Sequence, residues 1–400
     1  MITFPRPPVA DAGGPRGSNS YRPCTDDTSA GIDGHHGAIM PKSHPNAVRL
    51  VSVNIAGIGF ISEERSKMRY KLEKLKNLVI DYDVDLLMLS ETNKDWRVVP
   101  SEHSLWAGVR YWKSSCKVQA AWNTFQHPQI QHQSQRGGTA MIAFSDLSFR
   151  LCQKSVDSRQ LGRWSTMTFQ GKRDCKTTAI SLYVPTLGTC PGSVFSQHLR
   201  YTAEHRHLLE TECPRELFGK DLEELILHYK SEGHNIIVAG DFNAEAVDMR
   251  RWMQELGLID LIQRQHSPCP RTQKRSKNSP IDFIFGSPGL QIRACGYLPF
   301  NRLVSDHRAL WIDVEQTSFL GYKPPPLLAP AARRLKLEDP EVVSKYLSTL
   351  HSILLAKDVF NLASMLDSIT TTPLPEWVIE IHEKLDRILY GSYGNSRKEI

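Results

Sequence analysis

Four hundred residues with 40% hydrophobic and 23% charged side chains make an ordinary globular balance, enough for one large core and a smaller appendage. Lys and Arg outnumber Asp and Glu by 49 to 43, a formal +6, which permits a polyanionic partner without requiring one. No stretch is long and apolar enough to cross a membrane, Met1 to Ala10 carries prolines where a secretory leader needs an apolar run, and the 8 cysteines are dispersed with no Cys-x-x-Cys or zinc-finger spacing. The expectation is an intracellular protein, nuclear or cytoplasmic, with reduced thiols.

Residues 1–46 are rich in Pro, Gly, Ser and Asp without apolar periodicity, and are expected to be disordered because they bury too little to offset ordering entropy. Within them His35 and His36 lack further ligands and read as solvated. Val48 to Asn54 is strand-like and ends in a carboxamide before the turn Ile55-Ala56-Gly57. Met68, Leu72, Leu75 and Val79 then recur at helical spacing among Lys and Arg, an amphipathic helix whose basic face is most simply solvated. Asp85 to Ser90 is a buried strand delivering Glu91.

Trp96 to Gln135 has no clear period and reads as a long irregular loop. Strands are expected at Gly137 to Phe144, Arg163 to Phe169 and Thr177 to Val184, the last ending in Tyr183-Val184-Pro185. A helical region from His198 to Lys230 precedes Asn235 to Asn243, an apolar run that ends in Asp241 and Asn243. Alternation along an extended chain points these two side chains one way and Phe242 back into the core. A helix around Met249 to Leu258 leads to Arg264 to Pro280, a basic loop with Arg271, Lys274, Arg275 and Lys277 that is either a phosphate-contact element or a solvated loop. Strand Ile281 to Phe285 contains Asp282, and Ser305-Asp306-His307 precedes the strand Ala309 to Val314.

The predicted organisation is a disordered segment over 1–46, a main domain over 47–316, a proline-rich linker over 317–335 and a helical appendage over 336–400. Gly321 to Pro330 is semi-rigid by composition. Asp339-Pro340 offers an N-cap and a first-turn proline to a helix carrying Val343, Tyr346, Leu347, Leu350 and Leu354. A second helix carries Val378, Ile381, Leu385 and Leu389.

Strands alternating with helices suggest an α/β sandwich whose strand ends converge on one rim. At those ends stand Asn54, Glu91, Tyr183, Asp241, Asn243, Asp282, Asp306 and His307. Each alone has a structural reading, as a turn cap, a half-buried aromatic or a satisfied core histidine. Together they supply oxygen ligands for a hard cation, a group to deprotonate water and donors for an anionic phosphate, which is what phosphodiester hydrolysis needs.

Six segments in order resemble the endonuclease/exonuclease/phosphatase superfamily: Ser52-Val53-Asn54-Ile55-Ala56-Gly57, Ser90-Glu91-Thr92, Tyr183-Val184-Pro185, Gly240-Asp241-Phe242-Asn243, Ile281-Asp282-Phe283 and Ser305-Asp306-His307. The resemblance implies a four-layered αββα sandwich and Mg2+- or Mn2+-dependent phosphoester hydrolysis. It assigns metal to Asn54, Glu91 and Asp306, water activation to Asp241 beside Asn243, phosphate contact to the Asp282 and His307 pair, and a phosphate or leaving-group contact to Tyr183. The tyrosine followed by x-Pro is similar to apurinic endonucleases and to the endonucleases of non-LTR retrotransposons. Thr186 stands where that pattern usually has Asn, and Asn278-Ser279-Pro280 replaces the aromatic and Arg of the repair enzymes. The run from Ser305 to Trp311, the linker and the helical tail are similar to retroelement polyproteins, which favours nicking of DNA over abasic-site repair. The alternatives are an apurinic repair endonuclease, an inositol or lipid phosphatase, and an inactive nucleic-acid-binding module.

Overall fold

The computed structural model describes residues 34–40, 46–58, 65–99, 105–113, 117–126, 135–188, 190, 192–209, 211, 213–274, 279–322, 339–369 and 375–396. They belong to two compact units divided between Pro325 and Pro326, each taken by itself below. The first unit begins with β1 (His36–Gly37), β2 (Ala47–Asn54), α1 (Arg65–Asp81), β3 (Leu86–Ser90), α2 (Leu105–Val109), β4 (Val118–Asn123), β5 (Thr139–Phe144) and α3 (Ser145–Phe149). It continues through β6 (Leu151–Val156), β7 (Trp164–Gln170), β8 (Lys176–Tyr183), α4 (Val194–Glu204), α5 (Pro214–Ser231), β9 (Asn235–Asp241) and α6 (Ala246–Glu255). It closes with β10 (Ile259–Asp260), β11 (Asp282–Gly286), β12 (Ile292–Tyr297), β13 (Leu310–Glu315) and α7 (Gln316–Leu320).

The strands form a 7-stranded sheet in the order β1-β12-β13-β2-β3-β5-β4 and a 6-stranded sheet in the order β10-β11-β9-β8-β7-β6. Each sheet has one parallel pair at its centre, β2 with β3 and β8 with β9, flanked by antiparallel neighbours. Period-two alternation divides each central strand between two layers. Leu50, Met88, Ala179, Ile237 and Ala239 meet between the sheets. Val51, Val53, Leu87 and Leu89 face outward onto Leu75, Leu78 and Val79 of α1. On the far side Ile180, Leu182, Ile236 and Val238 pack on Phe218, Leu222 and Ile226 of α5 and on Met249, Trp252 and Met253 of α6. The result is the four-layered αββα sandwich that the sequence predicts. Phe242 is fully buried, edge-on to Phe283 and Phe285 at 5.6 and 5.3 Å.

Several local expectations need correction. Residues 34–40 lie in the segment expected to be disordered, yet His36 pairs with Tyr297, ring centroids 5.8 Å apart, and Met40 is buried. Sheet pairing gives this short segment the hydrogen bonds its composition could not predict; residues 1–33 and 41–45 lie outside the described residues. The stretch expected to be an irregular loop contains α2 and β4, the latter an edge strand on β5. Strands β6 and β12 carry little alternation, with patterns of mixed exposure, and were not legible. The helical region before β9 is two helices, α4 and α5, joined through a short 3-10 turn at Arg206–Leu208. No helix of the described residues is long and apolar enough to cross a membrane.

The second unit contains α8 (Pro340–Ala356), α9 (Val359–Asp367) and α10 (Glu376–Ser396), with α10 packed on the other two. Asp339 caps α8 by accepting from the main-chain N–H groups of Glu341 and Val342. The sequence suggested two helices; the short α9 between them buries Val359 and Leu362. On α10, Val378 is buried and Ile381, Leu385 and Leu389 are half-buried, the expected stripe, whereas Leu347 of α8 is 56% exposed. The proline-rich segment 323–338 lies outside the described residues.

Candidate active site

Strand pairing brings the candidate residues to one rim. Parallel pairing places the ends of β2 and β3 side by side, Asn54 opposite Ser90, and the ends of β8 and β9 likewise, Tyr183 opposite Asp241. β11 is antiparallel to β9, so its first residue, Asp282, faces Asp241, the last residue of β9. His307 precedes β13, which runs antiparallel to β2 and therefore starts at the end where β2 finishes. Parallel strands contribute their carboxyl ends and antiparallel strands their amino ends to the same cleft.

That cleft has a volume of about 350 Å3 and is lined by Glu91, Tyr183, Asp241, Asn243, Asp306 and His307 among others. Fully buried Asn54 lies behind them and donates from Nδ2 to Glu91 Oε2 at 2.8 Å and to Asp241 Oδ2 at 2.9 Å. Its Oδ1 accepts from the Ala56 N–H at 2.9 Å. The expected metal ligand is thus, in this arrangement, a bridge that sets the spacing of two carboxylates. Asp241 Oδ1 accepts from the Asn243 N–H at 2.9 Å, and Asn243 Nδ2 donates to the Val184 carbonyl at 2.8 Å. Asn243 therefore ties the end of β9 to the end of β8.

His307 Nδ1 lies 2.8 Å from Asp282 Oδ2, and its Nε2 is 4.0 Å from Asp241 Oδ2. Burial opposes charge on the ring, but the Asp282 carboxylate and its hydrogen bond outweigh it, and the pKa is pushed up to about 10. His307 is then a cation at neutral pH. Asp241 is pushed up to about 8, by burial first and then by the Asp282 charge, against the pull of His307. A carboxylate so placed is a stronger base than one in water. Burial and the charges of Glu91 and Asp241 raise the Tyr183 phenol above its ordinary value, so it stays a neutral donor.

Backbone strain concentrates here. Among the described residues, Ala56, Glu91, Asn93 and Asn243 adopt left-handed backbone with φ of 50°, 54°, 51° and 45°. Such conformations persist only where the surroundings hold them. The Gly57 and Ile58 N–H groups donate to the Glu91 and Thr92 carbonyls, both at 2.8 Å, zipping together the turns that follow β2 and β3. The Asn93 N–H donates to the Gly137 carbonyl at 2.8 Å, and the Gly137 N–H returns a bond to Asn93 Oδ1 at 2.7 Å.

Positioning groups were missed by sequence reasoning. Lys71 of α1 does not sit on a solvated face: its Nζ donates to the Ile55, Ala56 and Gly57 carbonyls at 2.7, 2.9 and 2.9 Å and holds the turn after β2. Asn93 Nδ2 donates to Glu91 Oε1 at 3.2 Å. Ser305 donates to the Asn54 carbonyl at 2.6 Å and accepts from the His307 N–H at 3.0 Å. Buried Thr272 Oγ1 accepts from the N–H groups of Ile281 and Asp282 at 3.0 and 3.1 Å. The basic loop therefore supplies Thr272 as well as Gln273, which lines the cleft; its Arg275 and Lys277 lie outside the described residues. Arg136 and Thr186 also line the cleft. Only the motif residues carried a sequence signal, because a lysine or threonine that bonds a distant backbone looks like any other.

Glu91, Asp306 and Asp241 give the cleft a hard oxygen donor set without a thiol, the kind that suits a divalent cation of the magnesium type. Asp241, Asp282 and His307 bring one ligand atom each within 4.8 Å of one another, but the hydrogen bond of His307 to Asp282 makes them a charge network first.

A model of the Endonuclease/Exonuclease/phosphatase family matches residues 51–307. No curated protein matches the sequence. Among solved structures, the chain is similar to the AP endonuclease LMAP from Leishmania major, at 15% identity and a TM-score of 0.49 over 68% of this chain and 88% of that one. It is similar to the APE2 catalytic domain from Xenopus laevis, at 14% identity and 0.46 over 67% and 92%. It is also similar to the human Nocturnin catalytic domain, at 18% identity and 0.44 over 67% and 94%.

Proposed function

The chain belongs to the endonuclease/exonuclease/phosphatase family, and we propose from that membership that it is a divalent-metal-dependent phosphodiester hydrolase that nicks DNA. The observation that carries this reading is the meeting of His307, Asp241 and Asp282 with Glu91 and Asp306 around one cleft. Glu91 and Asp306 would hold Mg2+ or Mn2+, with Asn54 fixing Glu91. The ion, when bound, supplies positive charge that offsets the charge developing on the phosphoryl oxygens.

The remaining chemistry belongs to side chains. Asp241 accepts the proton of the attacking water at Oδ2, held in orientation by the Asn243 N–H at Oδ1. His307 donates from Nε2–H to a non-bridging phosphate oxygen, and its charge is maintained by Asp282. Tyr183, neutral, donates its phenol proton to the phosphate or to the leaving oxygen. Thr186 and Arg136 stand at the cleft wall, where a hydroxyl and a guanidinium can meet neighbouring phosphates.

The motif order, the Ser305 to Trp311 run and the proline-rich segment before a helical tail support a retroelement nuclease, read as the part that precedes a reverse transcriptase. Tyr183 followed by x-Pro and the basic loop support a nucleic acid over a lipid substrate. The test is nicking of supercoiled plasmid with Mg2+. Wild-type protein is expected to nick, and Asp241→Ala and His307→Ala are expected to lose roughly 100- to 10,000-fold in rate; wild-type rates in both variants would refute the assignment. An abasic duplex run beside an intact one is expected to be cut no faster than the intact one. Strong preference for the abasic duplex would move the reading to repair.

A further inference from the structure

The amino end of β9, the strand whose carboxyl end delivers Asp241, has its own cluster. The segment His228-Tyr229-Lys230-Ser231-Glu232-Gly233-His234 ends α5 and turns directly into the strand. Gly233 adopts φ of 76°, the left-handed turn that ends a helix, and the His234 N–H donates back to the Tyr229 carbonyl at 3.0 Å. This reversal folds His234 against the last turn of α5, with its ring stacked on Tyr229 at 5.4 Å.

Glu232 then stands between two imidazoles. Its Oε2 is 3.5 Å from His234 Nε2, and its Oε1 is 3.8 Å from His228 Nε2. The two histidines differ. His228 is exposed, whereas the His234 side chain is 1% exposed. Buried Thr178 Oγ1 lies 2.9 Å from His234 Nδ1 and is itself 2.9 Å from Thr168 Oγ1. The opposite nitrogen, Nε2, is buried and has no hydrogen-bond partner.

A buried polar atom without a partner is costly and calls for an explanation. The Glu232 carboxylate does not provide one, because at 3.5 Å it makes no hydrogen bond to Nε2. With Nδ1 within hydrogen-bond distance of Thr178, Nε2 is the ring nitrogen left to face the Glu232 carboxylate, and a cation between the two would satisfy both. Metal-bound histidines are commonly oriented through the other ring nitrogen in this way. The carboxyl end of the 18-residue helix α5 adds its negative dipole end to the same place. The charged and titratable groups facing the cluster are Glu232, His228 and Lys176.

We propose that His228, Glu232 and His234 form a site for a borderline divalent transition-metal ion, Zn2+ in the first instance, at the junction of α5 and β9. Two imidazole nitrogens and one carboxylate oxygen suit Zn2+ and are a poor set for Mg2+. His234 is the preformed ligand, Glu232 the shared one, and the exposed His228 closes onto the ion by side-chain rotation. A bound ion would clasp the helix to the strand, and its role is structural: the site lies at the opposite end of β9 from Asp241, about 20 Å away at the ordinary rise of a strand.

The test is Zn2+ titration by calorimetry of tag-free, chelator-stripped full-length protein, with Mg2+ in excess to occupy the cleft carboxylates. Wild type and the Asp241→Ala/His307→Ala double variant are expected to bind one Zn2+ alike. His228→Ala/Glu232→Gln, which changes only exposed side chains, is expected to bind at least roughly 100-fold more weakly, the upper end of what even outer partners cost. The same variant should keep the wild-type unfolding midpoint without Zn2+ and lose the rise in midpoint that Zn2+ gives wild type. Wild-type Zn2+ affinity in that variant, or no Zn2+ uptake by wild type, would overturn the proposal.

Discussion

His307 Nδ1 and Asp282 Oδ2 are 2.8 Å apart, both side chains buried, although one residue opens β11 and the other precedes β13 in the opposite sheet. The pair crosses the sandwich at its rim and sets the charge of the ring that faces Asp241. Asp282 is in turn positioned by Thr272 and by its register with Asp241.

Removing the carboxylate should therefore change the histidine more than the fold. In Asp282→Asn the burial that opposes the charged ring loses its main counterweight, leaving the weaker pull of Asp241 and Asp306, so the His307 pKa should fall well below about 10. Nuclear magnetic resonance titration of the ring checks this directly. Hydrolysis at neutral pH should drop roughly 100- to 10,000-fold, and an unchanged ring pKa would show that Asp282 does not hold the charge.

Gly240, just before Asp241, has φ of 146° and packs where a Cβ would collide with the Leu182 carbonyl oxygen of the neighbouring parallel strand. Neither backbone can yield without breaking the β8 and β9 ladder. Gly240→Ala should lose on the order of 3 kcal/mol of stability, measured by denaturant unfolding; a loss as small as that of a surface substitution would mean that the strands separate at little cost.

Lys71 holds three carbonyls of the turn that follows Asn54. Replacing it with Met keeps the aliphatic stem and removes the donors. About 2–3 kcal/mol of stability should be lost, together with hydrolytic rate, because the turn zipped to Glu91 loosens. Arg in its place should recover part of both. Full activity in Lys71→Met would reduce the lysine to a surface charge.

His198 of α4 is buried, donates from one ring nitrogen to the Leu161 carbonyl at 2.8 Å, and stands near the buried ion pair of Arg163 with Asp157. Burial first, and the Arg163 charge second, lower its pKa from 6.5 to about 4. A depressed pKa means that the unfolded chain binds the proton more readily, so the stability this group contributes is full above pH 6.5 and is lost as pH falls to about 4. Relative to His198→Gln, wild type should lose on the order of 3 kcal/mol across that window. The difference isolates this residue from other groups; a pH-independent difference would contradict it.

The sequence by itself determined the elements with strong periodicity, α1, β3, β8, β9 and the capped α8, and the polar residues that end them, because burial of one face writes itself into residue order. It also determined that Phe242 is core, since alternation leaves it no other side. Edge strands β4 and β6 were illegible: an edge strand gains its hydrogen bonds from a neighbour, and a half-exposed strip has little apolar period. Only the tertiary structure decided which strand ends meet. The register of β9 with β11 puts Asp282 beside Asp241, the left-handed turns at Glu91 and Asn243 aim those side chains, and Lys71 leaves its expected solvated face for three carbonyls. These are long-range pairings of backbone groups, and a backbone group is the same in every residue, so no spacing along the chain could announce them.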